Sequence, residues 1–112
     1  MLTEEQFKML CFEHEGVAIH NPFMSPCGRF IADPCEDYGF QEWGMGGGCQ
    51  ALVKEFYVGD DKRFLIVTDL SGINLPGPDA APYDILVGVQ DFDGEELATA
   101  TLAEIISAFE GA

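Results

Sequence analysis

Between Phe64 and Ala112 the chain has no lysine, arginine or histidine. The same half carries nine acids: Asp69, Asp79, Asp84, Asp91, Asp93, Glu95, Glu96, Glu104 and Glu110. Cations are scarce elsewhere too. Lys8, Arg29, Lys54, Lys62 and Arg63 stand against twenty acids, and the formal net charge is −15. A compact body with that charge repels nucleic acid and anionic membranes and attracts basic surfaces. Direct nucleic-acid binding and membrane binding are therefore not expected. Long apolar runs are missing as well, none approaching the ~20 residues that span a bilayer. Met1-Leu2-Thr3-Glu4-Glu5-Gln6 lacks the basic start and continuous apolar stretch of an export signal. The expected location is the cytoplasm, and the expected state of Cys11, Cys27, Cys35 and Cys49 is the reduced thiol.

What the chain does have is material for a core. The apolar fraction is 47%, with nine Phe, three Tyr and one Trp, and that argues against disorder despite the charge. With 112 residues there is room for one domain, residues 1–112. A chain of this size buries roughly 65% of its unfolded surface, enough for a core without an obligatory metal or disulfide.

Local signals give an order of elements. Thr3-Glu4-Glu5-Gln6 has the capping-box pattern, and Phe7, Leu10, Cys11 and His14 recur at helical spacing up to Gly16. The expectation is a helix from about residue 4 to about 15. Strands are expected at 17–20, 28–33, 49–58, 63–69 and 84–90, with a short return at 95–99. Residues 59–62 form the turn of an antiparallel hairpin. Residues 34–48 are aperiodic and read as a long loop carrying Tyr38, Phe40, Trp43 and Met45. A second capping box, Thr101 to Glu104, opens a terminal helix with Leu102, Ile105, Ile106 and Phe109 on its apolar face. The fold class that follows is α+β: a mostly antiparallel sheet of about five or six strands, with an N-terminal and a C-terminal helix packed on it. Phe7, Leu10, Leu65, Val67, Leu86, Ile105 and Phe109 are the expected shared core.

Few constellations point to chemistry. Gly44-Met45-Gly46-Gly47-Gly48-Cys49 has the glycines of a phosphate loop but not its Lys-Ser or Lys-Thr ending. Cys49 with His14 or His20 as base is the candidate catalytic set, although so few cations offer little to lower a thiol pKa. Cys11, His14, His20, Cys27 and Cys35 include the ligand types of a zinc site, but only Cys11 and His14 are tightly spaced, where zinc modules show two tight pairs. Asp91-Phe92-Asp93-Gly94-Glu95 echoes the start of a calcium loop and lacks its remaining ligands; Asp-Gly between strands is hairpin chemistry. No metal and no cofactor is expected. Pro22-Phe23-Met24 and the stretch from Tyr38 to Met45 place large apolar groups in irregular segments, as binding surfaces do. Their bland reading is cover for the sheet.

Gly46-Gly47-Gly48-Cys49-Gln50-Ala51-Leu52, Val67-Thr68-Asp69 and Val87-Gly88-Val89 before an Asp-rich turn resemble small uncharacterised proteins carried by phages and mobile gene cassettes. The resemblance spans residues 46–95 at most and implies an accessory-gene context, with no activity and no functional residue.

Two functions compete. The leading one is a non-enzymatic acidic binding module that engages a basic protein surface, as an inhibitor or nucleic-acid mimic. Its candidate contacts are Asp91, Asp93, Glu95 and Glu96 around one turn, with Phe40, Trp43 and Met45 in the aromatic loop. The rival is a small enzyme or ligand-binding protein using Cys49 with His14 or His20. Homodimerisation through a sheet edge or the aromatic loop is compatible with both.

Overall fold

The capping box at Thr3 forms as its sequence implies. The Gln6 amide donates to the Thr3 hydroxyl, and the Gln6 side chain accepts from the Thr3 amide. The helix it opens, α1 (Glu4–Met9), is much shorter than its apolar spacing suggests. Leu10 ends it, and Phe12–His14 (β1) pairs antiparallel with Val17–Ile19 (β2). The link is Glu15-Gly16, both with positive φ (53° and 81°). That two-residue turn matches the twist of a hairpin. Gly16 therefore turns a hairpin instead of stopping a helix, because Phe12 and Ile19 bury their side chains from the paired strands.

The computed structural model describes residues 2–46, 49–77 and 79–110. It shows an α+β fold with a five-stranded antiparallel sheet, a separate two-stranded sheet, and helices at both ends. The five strands are β3 (Gln41–Gly46), β4 (Cys49–Val58), β5 (Asp61–Asp69), β6 (Ile85–Asp91) and β7 (Glu96–Thr101), and they pair in chain order as a meander. The β4–β5 turn is tighter than residues 59–62, since Val58 already faces Asp61 and Gly59 carries the positive φ.

Two expectations for the first half do not hold. Residues 28–33 form no strand and contribute one isolated bridge, Met24 to Phe30. Pro26 supplies no donor, and Ser25–Gly28 closes a turn with its Arg29 amide on the Ser25 hydroxyl. Residues 34–46 are no long loop: they hold α2 (Pro34–Tyr38) and β3. Asp33 caps α2 by accepting from the Cys35 and Glu36 amides, Pro34 fills its first turn, and Gly39 ends it with φ 77°.

One face of the sheet makes the core. Leu52, Leu65, Val67, Ile85, Val87, Val89, Ala98 and Ala100 lie on it, covered by Leu10, Leu102, Ile105 and the aromatics Phe12, Tyr38 and Phe40. The final helix, α3 (Leu102–Glu110), starts from the reciprocal Thr101–Glu104 box and inserts Leu102 and Ile105. Three members of the expected core are placed differently. Phe7 is half-buried at its edge, and Phe109 is 50% exposed. Leu86 points to the other face, beside Ile66, Thr68 and Gly88, because strand residues alternate and Ile85, Val87 and Val89 take the inward positions.

Candidate functional site

The proposed catalytic groups are scattered. Cys49 opens β4, half-buried, opposite Gly46. His14 ends β1 with its ring edge-on to Tyr38, centroids 5.0 Å apart. His20 follows β2 and stacks on Phe109 at 3.9 Å. The cavity that His20 lines, with Ile19, Met24, Ile106 and Phe109, includes neither Cys49 nor His14. Burial holds the His20 pKa below its ordinary value, against a weaker upward pull from Glu110. Cys11, Cys27, Cys35 and Cys49 are all free thiols. Among the described residues, no group of three His, Cys, Asp or Glu side chains is placed to hold a metal ion.

The aromatic candidates part ways. Phe40 is 2% exposed and packs edge-on against Phe12 at 5.3 Å, so it belongs to the core and offers no surface. Trp43 lies on β3, on the face away from the helices, with Phe64 5.4 Å from it across β4. The Met45 side chain lies outside the described residues.

Lys54 is the unexpected neighbour of Phe40. Its Nζ donates to the Tyr38 carbonyl at the C-terminus of α2 and stands 5.6 Å from the Phe12 ring centroid and 5.8 Å from that of Phe40. A cation there suits the negative end of a helix and two ring faces. Burial lowers its pKa. In a chain of twenty acids, this ammonium is held by a carbonyl and aromatic faces.

Of the four acidic candidates, Asp91 and Asp93 are brought together with other acids, whereas Glu95 does not line that groove and Glu96 lines a separate hollow beside Leu86 and Thr99. Asp91 ends β6 and braces the following turn: its Oδ1 accepts from the Glu95 amide at 2.8 Å, and Gly94 donates to its carbonyl. The β4–β5 turn lies alongside, so Asp60, Asp61, Asp91 and Asp93 line one groove with Phe92 and Leu97. Phe92 at the turn is 71% exposed. Lys62 and Arg63 line the same groove. Lys62 is also paired with Glu55 at 3.4 Å, and Arg63 faces Asp91 in register. The sequence hid this, since the two cations lie some thirty residues before the turn they flank.

At the other end of the sheet is a larger cleft of about 610 Å³. Its apolar surface comes from Phe23, Phe30, Leu52, Leu75, Pro76 and Ile85, and Asp33, Glu42 and Asp79 add three carboxylates. Among the described residues no cation lines it. Cys35 is also on its wall, its thiol pKa raised by burial and then by Asp33 and Glu42. A thiol so placed is a poor nucleophile at neutral pH. Sequence reasoning missed this cleft because its walls come from six separate stretches of the chain, at Phe23, 30–35, Glu42, Leu52, 75–77 with 79–80, and Ile85. The available signal was Asp33-Pro34 followed by Gly39, a cap, first-turn proline and stop in helical order.

No helix among the described residues is long and apolar enough to cross a membrane. In comparisons with known proteins, no family model, no curated protein and no solved structure matches the chain.

Proposed function

We propose that the chain is a non-enzymatic binding module whose partner is a protein with a basic surface. The observation that carries this reading is the convergence of two acidic turns around Phe92 at one end of the sheet. An exposed aromatic beside four aspartates, with Lys62 and Arg63 on the same groove but set against Glu55 and Asp91, has the anatomy of a protein contact: an apolar anchor that is desolvated on binding and a rim of net negative charge that selects the partner. Exposed charges act together over roughly 8 Å at physiological ionic strength, so neighbouring acids in and beside one turn act jointly on a basic surface. Basic protein surfaces of that density are typical of nucleic-acid-binding proteins. The partner class we infer is such a protein, its nucleic-acid site occupied by this acidic end. The resemblance to accessory proteins of mobile elements is consistent with an inhibitor of this kind.

The test is capture by the parent chain and by the quadruple variant Asp91→Asn, Asp93→Asn, Glu95→Gln, Glu96→Gln, side by side. Asn at 91 preserves an acceptor for the Glu95 amide, so the turn is kept while the charge is removed. The expected result is a basic protein retained by the parent and lost by the variant. Equal retention by both would reduce the turn to a solubilising surface.

A further inference from the structure

We propose that the cleft between α2, β3 and residues 75–77 and 79–80 receives an extended basic segment of the partner, laid as an additional strand along β3 and placing an arginine or lysine side chain among Asp33, Glu42 and Asp79. This inference rests on the reading of the chain as a module for basic proteins, and names a second, separate contact. β6 runs from Ile85, on the cleft wall, to Asp91, at the acidic turn, so the two places occupy opposite ends of the sheet.

Three observations lead to this occupant. First, β3 is an edge strand, and among the described residues no backbone hydrogen bond reaches it from the side away from β4. Such an edge presents unpaired amides and carbonyls to any extended chain that meets it. Second, the edge is continuous with the cleft. Glu42 is on the cleft wall, while Trp43 points to the opposite face. A strand added to β3 therefore sends alternate side chains into the cleft and over the tryptophan, the arrangement by which strand addition gains both affinity and selectivity. Third, the charge is complementary to a cation alone. Asp33, Glu42 and Asp79 line the same cleft as the apolar Leu52, Ile85 and the exposed Phe30. That combination suits the aliphatic stem and charged head of arginine or lysine. Asp33 Oδ1 is already engaged with two α2 amides, so Glu42 and Asp79 are the carboxylates left to meet the incoming head.

Charge also argues against a second copy of this chain on the same edge. Pairing β3 with itself brings two acidic edges together, and any register that sets Glu42 against Glu42 is opposed by like charges across the strands. A free organic cation would use the cleft but gain nothing from the edge.

The probe is a capped heptapeptide alternating Val and Arg, with binding read from the fluorescence of Trp43, the single tryptophan and a resident of β3, and from amide-exchange protection of residues 41–44. The expected result is a fluorescence change together with protection on the parent chain. Glu42→Gln with Asp79→Asn weakens binding roughly 3- to 10-fold, as loss of two exposed ion pairs implies. The same peptide with alternate amides methylated, which cannot pair as a strand, fails to bind, and so does arginine amide. Binding of arginine amide as tight as the peptide would make the cleft a small-ligand site and overturn the proposal. Unchanged binding to the double variant would place the peptide elsewhere. Protection of 41–44 that rises with protein concentration and without peptide would make the occupant a second copy. The quadruple turn variant leaves the cleft intact and is expected to bind the peptide within about two-fold of the parent at high salt. If only that variant loses the peptide, the cleft proposal fails while the acidic-turn reading stands. If the peptide binds as proposed but capture of a basic protein is insensitive to the turn, that reading fails and the cleft survives.

Discussion

Replacing Ile105 with Ala removes the deepest anchor of α3. Ile105 is 0% exposed and packs, with Leu102, on the sheet face built from Leu65, Val67, Val87 and Val89. Three carbons are deleted, worth about 2.4 kcal/mol at roughly 0.8 kcal/mol each. The cavity left behind adds to this, because a packed core relaxes only partly. Alanine is the better helix former, which returns a few tenths of a kcal/mol at most. The net expectation is a loss of about 3 kcal/mol, or roughly 10–20 °C in Tm for a domain of this size. Urea unfolding followed through Trp43 emission and far-UV circular dichroism reads it directly. The midpoint should fall with the slope unchanged, the mark of lost stability rather than altered compactness. Leu86→Ala is the internal comparison. It removes a similar number of carbons from the half-exposed opposite face and should cost about 1 kcal/mol, well below Ile105. A loss under about 1 kcal/mol at Ile105, or an equal loss at both sites, would refute the assignment of the two sheet faces.

Native-state alkylation should modify Cys27 first, since it is exposed and its thiol pKa is lowered by the Ser25 hydroxyl, then by the Arg29 backbone and charge; Cys11, which burial raises to about 11, should react slowest. Timed mass measurement gives the order, and early labelling of Cys11 would contradict the packing around it. His20 titrates below its usual 6.5 in the folded chain, so its contribution to stability is present above that value and lost as pH falls through the folded pKa. His20→Phe, which keeps a ring against Phe109, should flatten this part of the stability–pH curve, and an unchanged curve would show that His20 is not its source. Asp33→Ala removes the α2 cap and should cost about 0.5–2 kcal/mol, with Asp33→Asn restoring most of it; thermal unfolding of the pair distinguishes the cap from the charge.

The second half of the chain was legible because its signals are local. Thr101 and Glu104 name a helix start, Gly59 and Gly94 name turns, and the alternating burial of β6 and β7 follows from period-two patterning. The first half misled for a physical reason. Phe7, Leu10, Cys11 and His14 share a helical spacing, but Phe12 gains more by facing Tyr38 and Phe40 from a strand, and Glu15-Gly16 supports the reversal that takes it there. Leu86 is as hydrophobic as Ile85 and Val87, so composition does not say which of them faces the helices, and a shift of one residue in a strand changes the face. The acidic turn was visible as a run of sequence. Its companions Asp60 and Asp61, the flanking Lys62 and Arg63, and the cleft walls were not, because only the meander brings those segments side by side.

The measurement that bears most directly on the central claim is the dissociation constant for the captured partner, taken across a salt series with the parent and with the quadruple turn variant. Parent affinity is expected to fall steeply as salt rises, because anchoring by Phe92 is joined to a rim of net negative charge that salt screens. The variant is expected to bind more weakly at low salt and to lose most of that dependence. Parent binding indifferent to salt, or a variant equal to the parent at the lowest salt, would contradict it.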